Sequence, residues 1–380
     1  MSRGAIAFSR KRAMPEDGMR SFLLLRARCT CAMRMARPIV PYPGLVRIKA
    51  RIGKTVQQPR ITIRDVARRV GVSIGTVSNS LNDRPGVSRE VRRRVLAAVA
   101  ELGYRPNRSA QATRTGRTGT LAFVTPDLRN PYYPQLAQAI SQAARRAGYA
   151  VLLVDTEDGT SERERIEQIE HYGVDGILWC PATSEDVIAQ SNLSAPVVVI
   201  DHWLPGRDSV AADYRLSGKL IADHVLAAGY RSIGLLSGPK EISVARLRRD
   251  SFVEFIGGRV PMAWEIIHPF DMRLTSAAIG AIRSAEADVI VCCDDLMALG
   301  ALQAAREAGL SVPGDVAIIG HDDLPFCSVS VPGITTIRQP LEELGQEAIS
   351  LLIDRMADPA RPTRRMTLDV ELIQRESARL

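Results

Sequence analysis

Thr62-Ile-Arg-Asp-Val-Ala-Arg-Arg-Val-Gly-Val-Ser-Ile-Gly-Thr-Val-Ser-Asn-Ser-Leu-Asn82 is the stretch on which the reading of this chain turns. Its opening reads as a capping box: the Thr62 hydroxyl accepts the amide of Asp65 while the Asp65 carboxylate reaches back. Ile63, Val66, Ala67 and Val70 follow helical spacing, and Gly71 ends the helix. Val72 fills the turn and Ser73 caps a second helix over 74–81. Val77 and Leu81 face inward there, with Ile74, Gly75, Ser78 and Asn79 on the outer side. A third helix opens at the cap Ser88, turns Val91, Val95, Val99 and Leu102 inward and stops at Gly103. Two short helices joined by a tight Gly-containing turn and steadied by a third make a helix-turn-helix unit. Pattern alone also admits some other small three-helix bundle.

Charge separates this unit from what surrounds it. The whole chain of 380 residues carries +8. Residues 1–60 hold 14 Lys and Arg against 2 acids, residues 61–118 hold 12 against 4, and residues 119–380 hold 24 against 36. A basic front on an acidic body suits a polyanion-binding head attached to a different machine. Residues 1–60 show no sustained period, so they read as a basic extension, disordered or arising from a misplaced start. The lone Cys29-Thr-Cys31 is half a metal site at best. An apolar fraction of 46% suffices for sizeable cores, and no apolar run approaches the ~20 residues that span a bilayer. Phe22–Leu25 is broken by Arg26 and Arg28, which argues against a secretory signal. Six cysteines in this length are no disulfide framework and fit a reducing cytoplasm.

The spaced residues Thr62-Ile-Arg-Asp-Val-Ala, Gly71-Val-Ser, Thr76-Val-Ser, Leu81-Asn82, Val87-Ser88 and Gly103-Tyr-Arg-Pro-Asn107 resemble the head of the lactose-repressor (LacI/GalR) family. The resemblance covers nearly everything after residue 60. It implies that the second helix enters the DNA major groove. Ile74, Gly75 and Asn79 then face base edges, Asn79 being able to pair bidentately with adenine. Thr62, Ser73, Thr76, Ser78, Asn82 and Tyr104 are of types that bond phosphate oxygens and so fix register. For Ser73 and Ser78, plain capping or solvation is the competing reading. The segment 107–118 is similar to the family's hinge, which implies minor-groove roles for Asn107, Arg108, Ala110, Gln111 and Thr113. The family's wedge there is usually Leu. Thr113 is smaller and polar, which weakens intercalation, while Arg108 and Arg114 favour a narrowed groove electrostatically.

Beyond residue 118 the chain alternates apolar runs at 120–125, 151–155, 176–179, 197–201, 232–236, 289–292 and 316–319 with helical stretches at 133–147, 161–171, 217–228, 296–308 and 341–356. That is the bookkeeping of parallel sheets covered on both faces. No G-x-G-x-x-G follows a strand and no phosphate-binding loop is present, which disfavours dinucleotide and NTP enzymes. Landmarks including Asn130-Pro-Tyr-Tyr133, Val199-Ile-Asp201, Asp295-Leu-Met-Ala298, Gly320-His-Asp-Asp323 and Thr335-Thr-Ile-Arg-Gln339 are similar to the family's effector core. They imply a periplasmic-binding-protein-like (type I) core of two α/β subdomains. The expected organisation is a head over 61–106, a hinge over 107–118 and a core over 119–380. Subdomain one takes 119–213 and 341–368, subdomain two takes 214–340 and 369–380, and the crossovers fall near Asp213, Gln339 and Leu368.

The resemblance places Asn130, Tyr132, Asp201, Arg248, Asp294, Asp322 and Gln339 at an effector cleft. Relatives often carry Asn where Asp294 stands. The extra carboxylate either pairs with Arg248 or marks an effector bearing an amine. Trp203, Tyr132 and Phe326 are candidates to stack on a ligand, or core residues. Asp295 and Asp323 either line the cleft or cap the helices that follow them. The five histidines form no short metal motif, and no cofactor is implied. The expected protein is not an enzyme. It is a cytoplasmic homodimeric regulator, a repressor, binding double-stranded operator DNA under control of a small sugar-like effector and needing no membrane. The alternatives are an exported solute-binding protein, which would need a signal peptide, or a sugar-acting enzyme, which would need turnover.

Overall fold

A computed structural model of the chain describes residues 61–105, 117–156, 162–181 and 193–379. The expected hinge contacts at Asn107, Arg108, Ala110, Gln111 and Thr113 lie outside the described residues. Among the described residues no helix is long and apolar enough to cross a membrane.

The head is three helices: α1 (Ile63–Val70), α2 (Ile74–Leu81) and α3 (Arg89–Leu102). Local chemistry sets each boundary. The Asp65 carboxylate accepts both the Thr62 amide, at 2.9 Å, and the Thr62 hydroxyl, at 2.7 Å. Ser73 accepts the Thr76 amide at 3.0 Å and Ser88 the Val91 amide at 3.3 Å, so α2 and α3 begin on side-chain caps, whereas in α1 the Asp65 amide goes to the Thr62 carbonyl, at 3.0 Å, and not to its hydroxyl. Gly71 and Gly103 close α1 and α3 at φ 73° and 63°, where a side chain would be strained. Val66, Ala67, Val70, Val77, Val95 and Ala98 form the buried centre, and Ile63, Leu81, Val91, Val99, Leu102 and Tyr104 pack around it. Arg94 donates to the Val70 carbonyl at 2.7 Å, satisfying an end group of α1 from α3.

The core begins with β1 (Thr120–Thr125), α4 (Tyr132–Arg146), β2 (Ala150–Asp155), α5 (Glu162–His171), β3 (Gly176–Trp179), β4 (Val197–Ile200) and β5 (Asp208–Ala212). It continues through α6 (Tyr214–Ala227), β6 (Ile233–Ser237), α7 (Ser243–Ile256), β7 (Met262–Ile267), α8 (Ser276–Arg283), β8 (Val289–Cys292), α9 (Asp295–Glu307), β9 (Ala317–Asp322), α10 (Pro325–Val329) and β10 (Thr335–Arg338). It ends with α11 (Leu341–Ala357), β11 (Arg365–Leu368) and β12 (Glu371–Ile373). One sheet runs β11-β5-β4-β3-β1-β2 and the other β12-β10-β9-β8-β6-β7. β10 and β12 pair antiparallel; every other described pairing is parallel. The chain passes from the first sheet to the second after β5, returns after β10 and leaves again after β11, giving two lobes.

Strands buried on both faces appear in the sequence as unbroken apolar runs, as in β4, where all four residues are buried. Strands β5, β7, β10, β11 and β12 and helices α7, α8 and α10 lie outside the runs that the sequence singles out. β7 is an edge strand alternating half-buried and exposed residues, and α7 carries the charged run Arg246-Leu-Arg-Arg-Asp250, of which Arg248 is buried. Helices meet closely where side chains are absent. A Cβ on Gly345 of α11 would lie 2.8 Å from backbone atoms of Ala139 and Ile140 in α4. One apolar cluster joins the lobes, running from Phe123 and Leu178 to Ile290 and Ala298. At the foot of the first sheet the buried Asp208 carboxylate takes Arg355 and Arg361, each at 2.8 Å, and the Arg364 amide at 2.8 Å. This ties the end of α11 and the start of β11 to β5.

Candidate functional site

In the head, α2 presents Ile74 at 42% exposure, Gly75 fully to the surface and Asn79 half-buried at its edge. Thr62, Ser73 and Asn82 are exposed, and Thr76 and Tyr104 half-buried. The Ser73 and Thr76 hydroxyls share a hydrogen bond at 2.9 Å, so the capping role of Ser73 is realised and its other lone pair stays on an accessible face. Ser78 departs from expectation: it is buried, not on the outer side. The physical reason is Asn82, which folds back over it. The Asn82 amide donates to the Ser78 carbonyl at 2.8 Å and lies 3.5 Å from its hydroxyl.

In the core, Asn130, Tyr132, Asp201, Arg248, Asp294 and Asp322 line one cleft that is partly open to solvent. Strand C-termini supply most of them, as open parallel sheets do for ligand sites. Asn130 accepts the Tyr132 amide at 3.0 Å and so starts α4 at the cleft edge. The Tyr132 hydroxyl bonds Asp201 and lies 3.4 Å from Gln339 Oε1. Burial pushes the Tyr132 phenol well above its usual range, and the Asp201 charge adds to this. Burial also raises Asp201, against the Tyr132 hydrogen bond and the Arg248 charge. Asp201 and Asp322 sit at φ 64° and 116°, sparsely populated backbone held where both strands deliver a carboxylate to the cleft.

Arg248 does not pair with Asp294. Its Nη2 donates to Asp322 Oδ1 at 2.9 Å, its Nη1 to the Cys293 carbonyl at 2.8 Å, and its guanidinium lies 5.2 Å from the centre of the Tyr214 ring. Gln339, at 2.6 Å, and His321, at 3.0 Å, share the same Asp322 oxygen. Burial alone would raise Asp322, but the Arg248 charge, aided by His321 and Gln339, holds it below the ordinary carboxylate range. Gln339 therefore stands behind the cleft wall. Asp294 is the N-cap of α9: its Oδ1 accepts the Met297 amide at 2.8 Å, while its Oδ2 has no partner. Burial and the Asp322 charge push its pKa well above the ordinary value.

The neighbouring aspartates do other work. Asp295 caps nothing; it accepts the Leu324 amide at 2.7 Å and the Thr336 hydroxyl at 2.6 Å, bracing the β9 and β10 ends. Burial and the Asp322 charge push it up to about 7. Asp323 pairs with Arg338 and Arg375. Of the three stacking candidates only Tyr132 faces the cleft. Trp203 lies under the Arg365 guanidinium and Phe326 is 51% exposed on α10. Phe270, Cys180 and His202 line the cleft without having been singled out. Cys180 directly follows β3 and His202 lies two residues past the end of β4, so the strand-end rule could have found them. His202 Nε2 bonds the Ser243 hydroxyl, joining the loop after β4 in one lobe to the first residue of α7 in the other. Burial lowers His202 to about 4, so it is neutral near pH 7. Among the described residues no group of His, Cys, Asp and Glu is arranged to hold a metal ion.

Residues 62–107 match the family model for bacterial regulatory proteins of the lacI family, and residues 222–378 that for the periplasmic binding protein-like domain. The chain is 33% identical to the HTH-type transcriptional regulator MalR of Streptomyces coelicolor over 333 residues, covering 83% of this chain and 96% of that protein. It is 32% identical to the ribose operon repressor of Escherichia coli over 329 residues, covering 83% and 99%. Among solved structures it is similar to the lac repressor dimer bound to operator and the anti-inducer ONPF, with 27% identity, TM-score 0.75 and coverage of 84% and 99%. It is also similar to a LacI family transcriptional regulator from Enterococcus faecium with bound ribose, with 27% identity, TM-score 0.62 and coverage of 68% and 98%.

Proposed function

Because this chain belongs to the lacI family of bacterial regulatory proteins and is a DNA-binding transcriptional regulator, not an enzyme, we propose that it represses from a pseudo-palindromic operator as a homodimer released or engaged by a small sugar-like effector. The head spans 61–106, the hinge 107–118 and the core 119–380. Helix α2 enters the major groove with Ile74, Gly75 and Asn79 toward base edges, while Thr62, Ser73, Thr76, Asn82 and Tyr104 hold phosphates. Ser78, being buried, is left to packing. Asn107, Arg108, Ala110, Gln111 and Thr113 work in the adjoining minor groove. Acting on chromosomal DNA, the protein works in the cytoplasm.

The observation that carries this reading is the convergence of Asn130, Tyr132, Asp201, Arg248, Asp294 and Asp322, drawn from both lobes, on one cleft. A ligand held by both lobes favours one lobe arrangement over another, and differential affinity for the two states is what couples the cleft to DNA. The lac repressor dimer on its operator and the ribose-bound relative give the two halves of this reading their precedent. Genome-wide mapping of bound DNA, followed by operator-affinity measurements with a panel of pentoses and hexoses, tests it. A palindromic motif and a sugar-dependent change in operator affinity are expected. Equal affinity for the mapped sites and scrambled duplexes would overturn the regulator reading.

A further inference from the structure

Three carboxylates, Asp201, Asp294 and Asp322, and one guanidinium, Arg248, line the cleft among the described residues. The charges do not balance. Arg248 is engaged by Asp322 and the Cys293 carbonyl, so among the described residues no cation is bonded to Asp201 or Asp294. The two imidazoles that could supply one, His202 and His321, are both held at about 4 by burial. Asp294, from the second lobe, also keeps one buried oxygen, Oδ2, free of any hydrogen bond, while Asp201, from the first, has the Tyr132 and Tyr214 hydroxyls beside it. Asp294 is fully buried and Asp201 is 7% exposed, so solvent is a poor substitute partner for either.

We propose that the effector is an amino sugar, a small polyhydroxylated ring whose protonated amine donates to Asp294 Oδ2 and, across the cleft, lies toward Asp201. This rests on the reading of the cleft as a sugar-like effector site and narrows it. A neutral hydroxyl can pair with Asp294 only in its protonated form, because a buried carboxylate facing a neutral partner keeps its charge without compensation, which is the costly arrangement. An ammonium supplies three donors and the missing positive charge together. Elsewhere on the cleft Tyr132, Tyr133 and Phe270 offer apolar faces for the ring.

Without such a cation Asp294 holds a proton, since burial and Asp322 raise its pKa well above the ordinary carboxylate value. The groups that set this are Asp322 at the end of β9, the Met297 amide and Asp295 on α9, and Arg248 on α7; the Cys292 and Cys293 thiols at the end of β8 also face it. Both thiols are themselves raised by burial and so stay neutral. Amine and proton therefore compete for one oxygen. Binding of the ammonium form expels the proton, and affinity climbs with pH up to the pKa of the amine.

The test is calorimetric titration of the full chain with D-glucosamine, D-galactosamine and D-mannosamine, each set against its neutral parent and its N-acetyl derivative. At least one amino sugar is expected to bind about tenfold tighter than both neutral partners, a difference of about 1.4 kcal/mol. It should release a proton, read from the change in heat between buffers of different ionisation enthalpy. Asp294→Asn keeps a helix cap and removes the charge, so the preference for the amine should vanish while folding persists. Three outcomes overturn the proposal: a neutral sugar binding as tightly as its amino partner, an unchanged preference in Asp294→Asn, or no amino sugar binding below about 10 mM. A neutral sugar that binds and alters operator affinity sinks the amine alone and keeps the effector reading. Silence of every sugar, amino and neutral, removes both.

Discussion

Arg248 on α7 and Asp322 at the end of β9 form an ion pair at 2.9 Å, with side chains 8% and 3% exposed. Each holds the other in place: among the described residues no other anion is bonded to the guanidinium, and the carboxylate oxygen also gathers Gln339 and His321. A pair so deeply buried is expensive to break from one side, because the survivor keeps its charge without compensation.

Arg248→Ala is therefore expected to cost stability as well as effector response, by about 3–5 kcal/mol for the loss of one partner of a buried pair. In urea unfolding without added ligand, Arg248→Ala and Asp322→Ala should couple by about 0.5–3 kcal/mol, whereas Arg248→Ala and Asp294→Ala, which share no hydrogen bond, should couple less. Strong coupling to Asp294 instead would mean that the guanidinium turns away from Asp322 in solution.

The aspartates of the cleft make stability depend on pH in a definite direction. Asp295 rises from an ordinary 3.8 to about 7 on folding, and Asp294 rises too. The folded state binds more protons than the unfolded one in that window, so stability falls as pH climbs from about 4 through about 7. His202 and His321 oppose this: at about 4 against an ordinary 6.5, they cost stability as pH drops below 6.5. Asp294→Asn should stabilise the protein without added ligand by about 1–3 kcal/mol, the scale of a buried unsatisfied group. The gain should be larger at pH 7 than at pH 5. Denaturant midpoints at the two pH values measure it, and a gain independent of pH would show that Asp294 does not titrate there.

Asn79→Ala should change which bases are tolerated at one half-site position, at a cost of about 1–3 kcal/mol in discrimination. Thr76→Ala should weaken all sequences alike, since a phosphate contact carries register and affinity without sequence information. Selections on randomised half-sites separate the two. An unchanged motif for Asn79→Ala would take that side chain out of base reading.

Gly345→Ala places a methyl 2.8 Å from the backbone of Ala139 and Ile140, which no rotamer can relieve. Helices α4 and α11 must then move apart, at about 1–3 kcal/mol, the usual cost of overpacking. A lowered thermal midpoint is the expected reading. Full wild-type stability would mean that the two helices are not in backbone contact.

What the sequence disclosed, and what it withheld, follows the range of the interactions. The head was legible because its punctuation is local: Asp65, Ser73 and Ser88 act within three residues, and Gly71 and Gly103 act at their own positions. Ser78 was misplaced because Asn82 covers it, a contact that helical phase alone does not announce. In the core, α6 starts before the apolar period does, since Asp213 caps it through the Leu216 amide at 2.8 Å. Helix α7 was missed because its buried face includes Arg248 and Ser251, which read as polar in a periodic scan. The partner of Arg248 was beyond reach altogether. Asp322 is 74 residues away and Asp294 only 46, and nothing in spacing tells which carboxylate the fold brings to 2.9 Å.

The bond between His202 and Ser243 fastens one lobe to the other from inside the chain. If a ligand can reach the cleft only when the lobes part, every binding event is taxed by the fraction of molecules in which that clasp is undone. Were about one molecule in a hundred open, the apparent dissociation constant would stand about a hundredfold above the intrinsic one. The concentration at which the cell's signal is heeded would then depend on a bond between a serine and a histidine at the cleft's rim as well as on the contacts made to the ligand. Selection could move that threshold up or down, leaving untouched both the residues that identify the ligand and those that read the operator.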